Sequence, residues 1–303
     1  MFFGSCVVID KDGQSRGMRV LSWLLILLYT GSCISLKTTV FGATGGVGQL
    51  VCKVMLDQGH FVNAISRNPE AASEFENLKG ASVVKADARV CDEVLRLCVS
   101  DCDSVVISLG TTAFPSKKWE KGANSPEIAN ILTLENILTA IETSGKTRRP
   151  SRMVLVSSIG VDRCDEMPFR LLNSYGVLDT KRVSEQIMLE RCAALGIAAV
   201  VVRPGRLVGA PFTNFDLARL LKIDQGSNCG VVVDSRDVLN GDVERADVAT
   251  AIATLLTAQA VKQGAVFSIT NKPGPAPTSD GWKRVLAGFA GASEDALYRT
   301  ESA

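Results

Sequence analysis

The strongest constraint this chain places on its own folding is a glycine-spaced turn. The β-branched run Thr38-Thr39-Val40-Phe41 leads into Gly42-Ala43-Thr44-Gly45-Gly46-Val47-Gly48, and a helical pattern follows from Val47 to about Gln58. Glycine at every third place between a strand and a helix has a physical reading. Gly42 lets the chain leave the strand tightly, Gly45 removes a Cβ that would block a bound group, and Gly48 lets the helix lie close to the strand. Thr44, Gly46 and Val47 complete the turn, and the free amides at the helix start are suited to phosphate charge. A glycine-rich turn without a ligand is the alternative.

From Lys37 onward, short β-branched runs alternate with longer helical patterns, as in parallel strands joined by crossover helices. The expected strands are Thr38 to Phe41, Phe61 to Ile65, Ser82 to Lys85, Ser104 to Leu109, Met153 to Ser157 and Ala198 to Val202. Helices are expected at about Val47 to Gln58, Cys91 to Val99, Pro126 to Thr143 and Ser174 to Leu195. Continuous apolar runs such as Val154-Leu155-Val156 imply strands buried on both faces. Right-handed crossovers then give an α/β, doubly wound parallel sheet of the Rossmann type, a single domain over residues 37–303. After Arg203 the pattern loosens. A helix near Asn214 to Leu221, a strand Val231 to Val233, a helix from about Asp247 to Ala258, a strand Val266 to Thr270 and a helix near Ser279 to Ala287 complete it as a small substrate-loop region.

Residues 1–36 read differently. Seventeen uncharged residues separate Arg19 from Lys37, with the apolar core Val20 to Tyr29 and the small residues Gly31-Ser32-Cys33 behind it. That is the layout of a targeting leader or short anchor, with possible membrane association through residues 18–36, and Met18-Arg19 would make a natural start for it. An extra buried core element is the alternative. The leader points to an organelle, plastid or endoplasmic reticulum; without it the cytoplasm is expected. The cysteine count, nine, is odd and the chain has no glycosylation sequon, so export as a disulfide-rich glycoprotein finds no support. Lys plus Arg total 33 against 32 for Asp plus Glu, which argues against nucleic acid as a partner. His60 is the only histidine and no CxxC pair is present, so no metal site is expected.

A dinucleotide site that prefers NAD carries Asp or Glu about twenty residues beyond the glycines, at the end of the second strand. Here the residues are Ser66-Arg67-Asn68. The Arg67 guanidinium suits the 2′-phosphate of NADP(H) over NAD(H), unless it is simply a solvated charge. Asp87, after the third strand, either caps its loop or lies beside the adenine.

These segments, with Val156-Ser157-Ser158-Ile159-Gly160, Arg203-Pro204-Gly205 and Arg245-Ala246-Asp247-Val248-Ala249, resemble in order the atypical short-chain dehydrogenase/reductases of the NAD(P)H-binding, NmrA-like kind. The resemblance implies NADP(H) under the glycine turn, the nicotinamide near Gly110 and Ser157, and a substrate loop after Pro204. Active members of that family generally use a Tyr-x-x-x-Lys pair, tyrosine as proton donor and lysine as its partner. In this chain Tyr175 is followed by Asp179 at that spacing, and Lys181 lies six residues on, roughly 120° around a helix. Aligning Lys181 with the family lysine puts Val177 at the tyrosine position. The candidate catalytic residues are therefore Ser157, Lys181 and Tyr175. The Lys181-Arg182-Val183-Ser184-Glu185 stretch resembles the Lys-x-x-x-Glu helix of members that lack the tyrosine, with Lys181 on the cofactor ribose. The plainer readings are a solvated lysine, a loop-capping serine and a packing tyrosine.

Two functions stay open at this point. One is an NADPH-dependent oxidoreductase for a small, rather apolar substrate; the other is a non-catalytic NADP(H)-binding sensor or assembly factor working through a protein partner. Nucleotide-sugar epimerisation is weaker, because those relatives depend on the intact tyrosine.

Overall fold

Strand β1 (Lys37–Phe41) lies in the middle of the sheet with β2 (Phe61–Ser66) on one side and β4 (Ser104–Ile107) on the other, all parallel. The computed structural model describes residues 35–68, 70, 75, 78–116, 119, 123–144, 149–210 and 229–290. The expected leader, apart from Ser35 and Leu36, and the expected helix near Asn214 to Leu221 lie outside these residues. No helix among the described residues is long and apolar enough to cross a membrane.

The remaining strands are β3 (Ala81–Lys85), β5 (Arg152–Val156), β6 (Ala198–Pro204), β7 (Arg206–Val208), β8 (Gly230–Asp234), β9 (Asp242–Glu244) and β10 (Ala265–Lys272). The main sheet runs β3-β2-β1-β4-β5-β6-β10-β8, and only β8 is antiparallel to its neighbour. Strands β7 and β9 form a separate parallel pair. The helices are α1 (Gly46–Asp57), α2 (Glu93–Val99), α3 (Thr133–Thr143, preceded by a π-wound turn Glu127–Leu132), α4 (Phe169–Leu172), α5 (Val177–Leu195), α6 (Arg245–Thr257) and α7 (Ser279–Val285). This is the Rossmann doubly wound α/β fold. The chain order runs β1 to β3 outward on one side and β4 to β6 on the other, so a crevice is expected at the carboxyl ends of the paired strands β1 and β4, where the chain order reverses.

The pleat sorts the core into two layers. Val40, Val106, Val154 and Val200 are register partners in one row across four strands, and they pack with Val47, Val51 and Met55 of α1 and Val248 and Ile252 of α6. Their sequence neighbours Phe41, Ile107, Leu155 and Val201 face the other way, against Leu95 of α2, Leu134, Ile137 and Leu138 of α3 and Met188 of α5. Each such side chain contributes about 1.5–3 kcal/mol on burial. The polar residues of β1 are also satisfied. Thr38 and Ser104 share a hydroxyl hydrogen bond of 2.8 Å, and the Thr39 hydroxyl donates to the Cys98 carbonyl at 2.9 Å.

Several boundaries differ from expectation. Helix α5 begins at Val177 rather than Ser174, because Gly176 is left-handed at φ +73° and the turn before it is closed by Asn173, whose side-chain oxygen accepts from Leu178 N at 2.9 Å. Strand β4 ends at Ile107, two residues early, and α3 begins with π winding. The pair β7 and β9 and helix α4 were not expected, being too short for periodicity to register.

The glycine turn brings α1 against β1 at backbone distance. A Cβ on Gly48 would stand 2.1 Å from the Gly42 carbonyl oxygen, and neither backbone atom can swing aside. Gly48→Ala is therefore expected to lose about 1–3 kcal/mol in urea unfolding despite alanine's better helix propensity. A variant as stable as the parent chain would contradict this packing.

Candidate functional site

The turn Gly42–Gly48 forms the floor of the crevice. Gly42 sits at φ +81°, and a Cβ there would lie 2.5 Å from the Ser108 carbonyl oxygen at the end of β4. The turn closes with Gly45 N donating to Gly42 O at 2.8 Å. Gly45 is the N-cap of α1 and supplies no side chain to it; Gln49 makes the first helical bond, to Gly45 O at 2.9 Å. The amides of Gly46, Val47 and Gly48 thus precede the helical ladder, and the first turn carries no acidic residue to compete for them. Gln49 Nε2 also holds the Thr44 carbonyl at 2.9 Å, keeping the turn in shape. The residues present fit a diphosphate: free amides, the positive end of a helix and glycines that let the turn close tightly on its own backbone.

At the end of β2, the Ser66 hydroxyl donates to Asn68 O at 2.7 Å and accepts from Asn68 N at 3.2 Å, which turns the chain and leaves Arg67 exposed at the tip. Arg67 Nη1 donates to Asn124 Oδ1 at 3.1 Å, so the loop after β4 reaches over to this edge. The side chain of Asp87 caps its own loop. It accepts from Arg89 N at 3.0 Å and from the Arg89 guanidinium at 2.9, 3.0 and 2.5 Å, and that pairing holds its carboxyl below the usual range. Arg89 also donates to Ala123 O at 3.0 Å. Two guanidiniums and one carboxylate leave this corner net positive.

The candidate catalytic residues Ser157 and Lys181 lie where β5 finishes and near the start of α5. Ser157 N continues the ladder by donating to Val202 O at 2.7 Å, but the Ser157 hydroxyl is buried without a hydrogen-bond partner. Its neighbour Ser158 spends its hydroxyl on Ile159 O at 3.0 Å, so Ser157 is the one left with capacity. Lys181, on the first turns of α5, donates from Nζ to Val156 O at 3.4 Å, beside Ser157. It is not a solvated surface lysine. Burial lowers its pKa from the ordinary 10.5 to about 8, against the opposing pull of Glu185. Glu185, one turn on, is buried in a pair with Arg203 of β6, at 2.6 Å from Nη2, and Arg203 also reaches Asp162 at 2.6 Å.

Pro204 O accepts from Ile159 N at 3.0 Å, binding the β5 loop to the end of β6, and Gly110 borders open space at the end of β4. Tyr175 stands apart from the Lys181 contact. It packs edge-on against Phe114 at 6.2 Å and Trp119 at 6.0 Å, and half of it is exposed. The Arg245–Ala249 segment is structural here: Arg245 donates to Gly209 O at 2.6 Å and Asp247 accepts from Asn271 Nδ2 at 2.6 Å. Among the described residues no group of three or more His, Cys, Asp or Glu is placed to hold a metal ion.

Sequence reasoning missed Asn130, Arg89 and the aromatic pair Phe114 and Trp119. Asn130 lies in the π-wound turn and donates to the Thr180 hydroxyl at 2.9 Å, tying α3 to the helix that carries Lys181. A π insertion of this kind often accompanies a functional site, but no residue pattern announces it. Arg89, two residues beyond Asp87, was readable as a local ion pair.

The lowered pKa of Lys181 has a sign that can be measured. The unfolded chain binds more protons between pH 8 and 10.5, so folding stability gains from Lys181 as pH rises through that window, by about 1–3 kcal/mol. Urea unfolding of the parent chain and Lys181→Met across these pH values should show the gain in the parent alone. Equal slopes would mean that Lys181 titrates as an exposed lysine.

The NAD(P)H-binding family model matches residues 42–259. No curated protein sequence gives a significant match. Solved structures resemble the chain in fold. The oxidoreductase ylbE of Lactococcus lactis is 16% identical with a TM-score of 0.61, covering 84% of this chain and 96% of its own. ChuY, an anaerobillin reductase of Escherichia coli O157:H7, is 21% identical with a TM-score of 0.58, covering 78% of this chain and 100% of its own. A short chain dehydrogenase of Burkholderia cenocepacia J2315, solved with NADP, is 16% identical with a TM-score of 0.53, covering 89% and 99%. The chain belongs to the NAD(P)H-binding family, whose model covers residues 42–259.

Proposed function

We propose that this protein is an NADPH-dependent reductase of a small, rather apolar carbonyl or conjugated substrate, working without the usual Tyr-x-x-x-Lys pair. The observation that carries the reading is the buried, partnerless hydroxyl of Ser157 at the end of β5, where the Lys181 ammonium bonds the carbonyl of the preceding residue, Val156. A bound reduced nicotinamide supplies a hydride. Around it, the free amides of Gly46 to Gly48 hold the diphosphate, Arg67 meets the 2′-phosphate, and Lys181 anchors the ribose. Ser157 orients the substrate oxygen, and the proton that completes reduction comes from that hydroxyl or from water. Most of the rate then derives from alignment rather than from a strong acid, so turnover should be slow and selective.

Asn130 and Glu185 act as positioning residues. Asn130 fixes α5 through Thr180, and Glu185 is drawn onto Arg203, which leaves Lys181 one turn earlier over Val156. The preference for NADPH rests on Arg67, on the net positive corner it shares with Arg89, and on the missing acidic residue at the end of β2.

Arg67→Ala is expected to weaken NADPH binding about 10–100-fold, the worth of one or two charge-assisted hydrogen bonds, while NADH affinity stays within about twofold. Calorimetric titration with both coenzymes reads this directly, and equal losses for the two would remove Arg67 from the phosphate site. NADPH oxidation against a panel of quinones, aldehydes and enones tests the reductase reading. Tight coenzyme uptake with silence across the panel would favour a sensor instead.

A further inference from the structure

The chain that leaves β4 returns toward the end of β2 at Asn124, and hydrogen bonds on both sides of that residue fix it there. The Thr111 hydroxyl donates to the Asn124 carbonyl at 2.7 Å, which ties the loop to its own root. Arg89 Nη1 donates to the Ala123 carbonyl at 3.0 Å, and the Ser125 hydroxyl accepts from Ile128 N at 3.4 Å as the π-wound turn begins. The backbone around Asn124 is therefore held, and its side-chain amide stands at a set place. Arg67, exposed at the tip of the turn after β2, donates from Nη1 to that amide's oxygen at 3.1 Å, across 57 positions of sequence.

The chemistry of this contact differs from that of the guanidinium beside it. Arg89 is spent on a carboxylate, pairing with Asp87 at 2.5 Å. The partner of Arg67 is a neutral amide, which restrains the side chain without cancelling its charge. One Nη is engaged, and a guanidinium carries further N–H donors for the two-point hold that a phosphate takes. A loose surface arginine gives up much rotamer freedom when it closes on an anion, whereas one already held has less to lose. The bond itself is open to water and contributes little to folding, so its consequence lies in where it keeps the guanidinium.

Resting on the NADPH reading above, we infer that Asn124 is a positioning residue for coenzyme selectivity, holding the Arg67 guanidinium ready for the 2′-phosphate. Asn124 acts through Arg67 and needs no contact of its own with the coenzyme. Selectivity is then shared between two segments far apart in sequence, the turn after β2 that carries the charge and the loop after β4 that sets its place.

The test is a double-mutant cycle on the full chain, with Asn124→Ala, Arg67→Ala and the two combined, each titrated calorimetrically with NADPH and with NADH. Asn124→Ala should weaken NADPH binding about three- to tenfold and leave NADH within about twofold. In the Arg67→Ala background the same substitution should change neither affinity, because no guanidinium is left to hold. Asn124→Asp should cost NADPH more than the alanine does, since a carboxylate pairs with Arg67 and repels the phosphate. NADH affinity near that of the parent also reports that each variant is folded. An unchanged or tighter grip on NADPH in Asn124→Ala, an equal loss for both coenzymes, or a loss that persists without Arg67 would overturn the inference. If Arg67→Ala loses NADPH selectively while Asn124→Ala does not, only the positioning role falls; if the parent takes the two coenzymes equally, the NADPH reading falls and the inference with it.

Discussion

The contact on which the rest depends is the approach of the first turn of α1 to the end of β1, with backbone against backbone and no Cβ between. Gly48 over the Gly42 carbonyl, and Gly42 against Ser108, bring the helix start, β1 and β4 to one point. That point coincides with the place where chain order reverses in the sheet, so a crevice and a set of free amides are produced together. The two valine and aliphatic layers hold this geometry rigidly, because every strand near the crevice is clamped from both faces.

A second constraint acts through charge. Arg203 would be costly to bury alone, and Glu185 and Asp162 supply its partners from α5 and from the β5 loop. Because Glu185 and Lys181 share a helix face, holding the first decides where the second lies. The lysine is then left on the carbonyl of Val156, the residue before the partnerless Ser157, and burial makes its proton easier to lose. Asp237 plays a related part in the β5 loop, accepting from Gly160 N at 2.9 Å and Asp162 N at 3.0 Å and pairing with Arg163.

How much of this was legible in the sequence differs from end to end of the site. The glycine turn and the sheet class could be read because backbone geometry demands glycine there and because burial on both faces demands apolar runs such as Val154-Leu155-Val156. The placement of Lys181 could not, since it depends on the partner chosen by Glu185 forty degrees or so around the same helix and on a strand far away in sequence. The unexpected start of α5 turns on one left-handed glycine, Gly176, which a helical pattern overruns. The aromatic cluster was invisible because Phe114, Trp119 and Tyr175 follow no common period and meet only through the fold.

The central claim is that a dinucleotide's diphosphate lies on the amides that open α1. A crystal structure of the full chain with NADP⁺ tests it most directly. Diphosphate oxygens should lie within hydrogen-bonding distance, roughly 3 Å, of the amides between Gly46 and Gly48. Coenzyme found away from this turn, or crystals that take up none at saturating concentration, would contradict it.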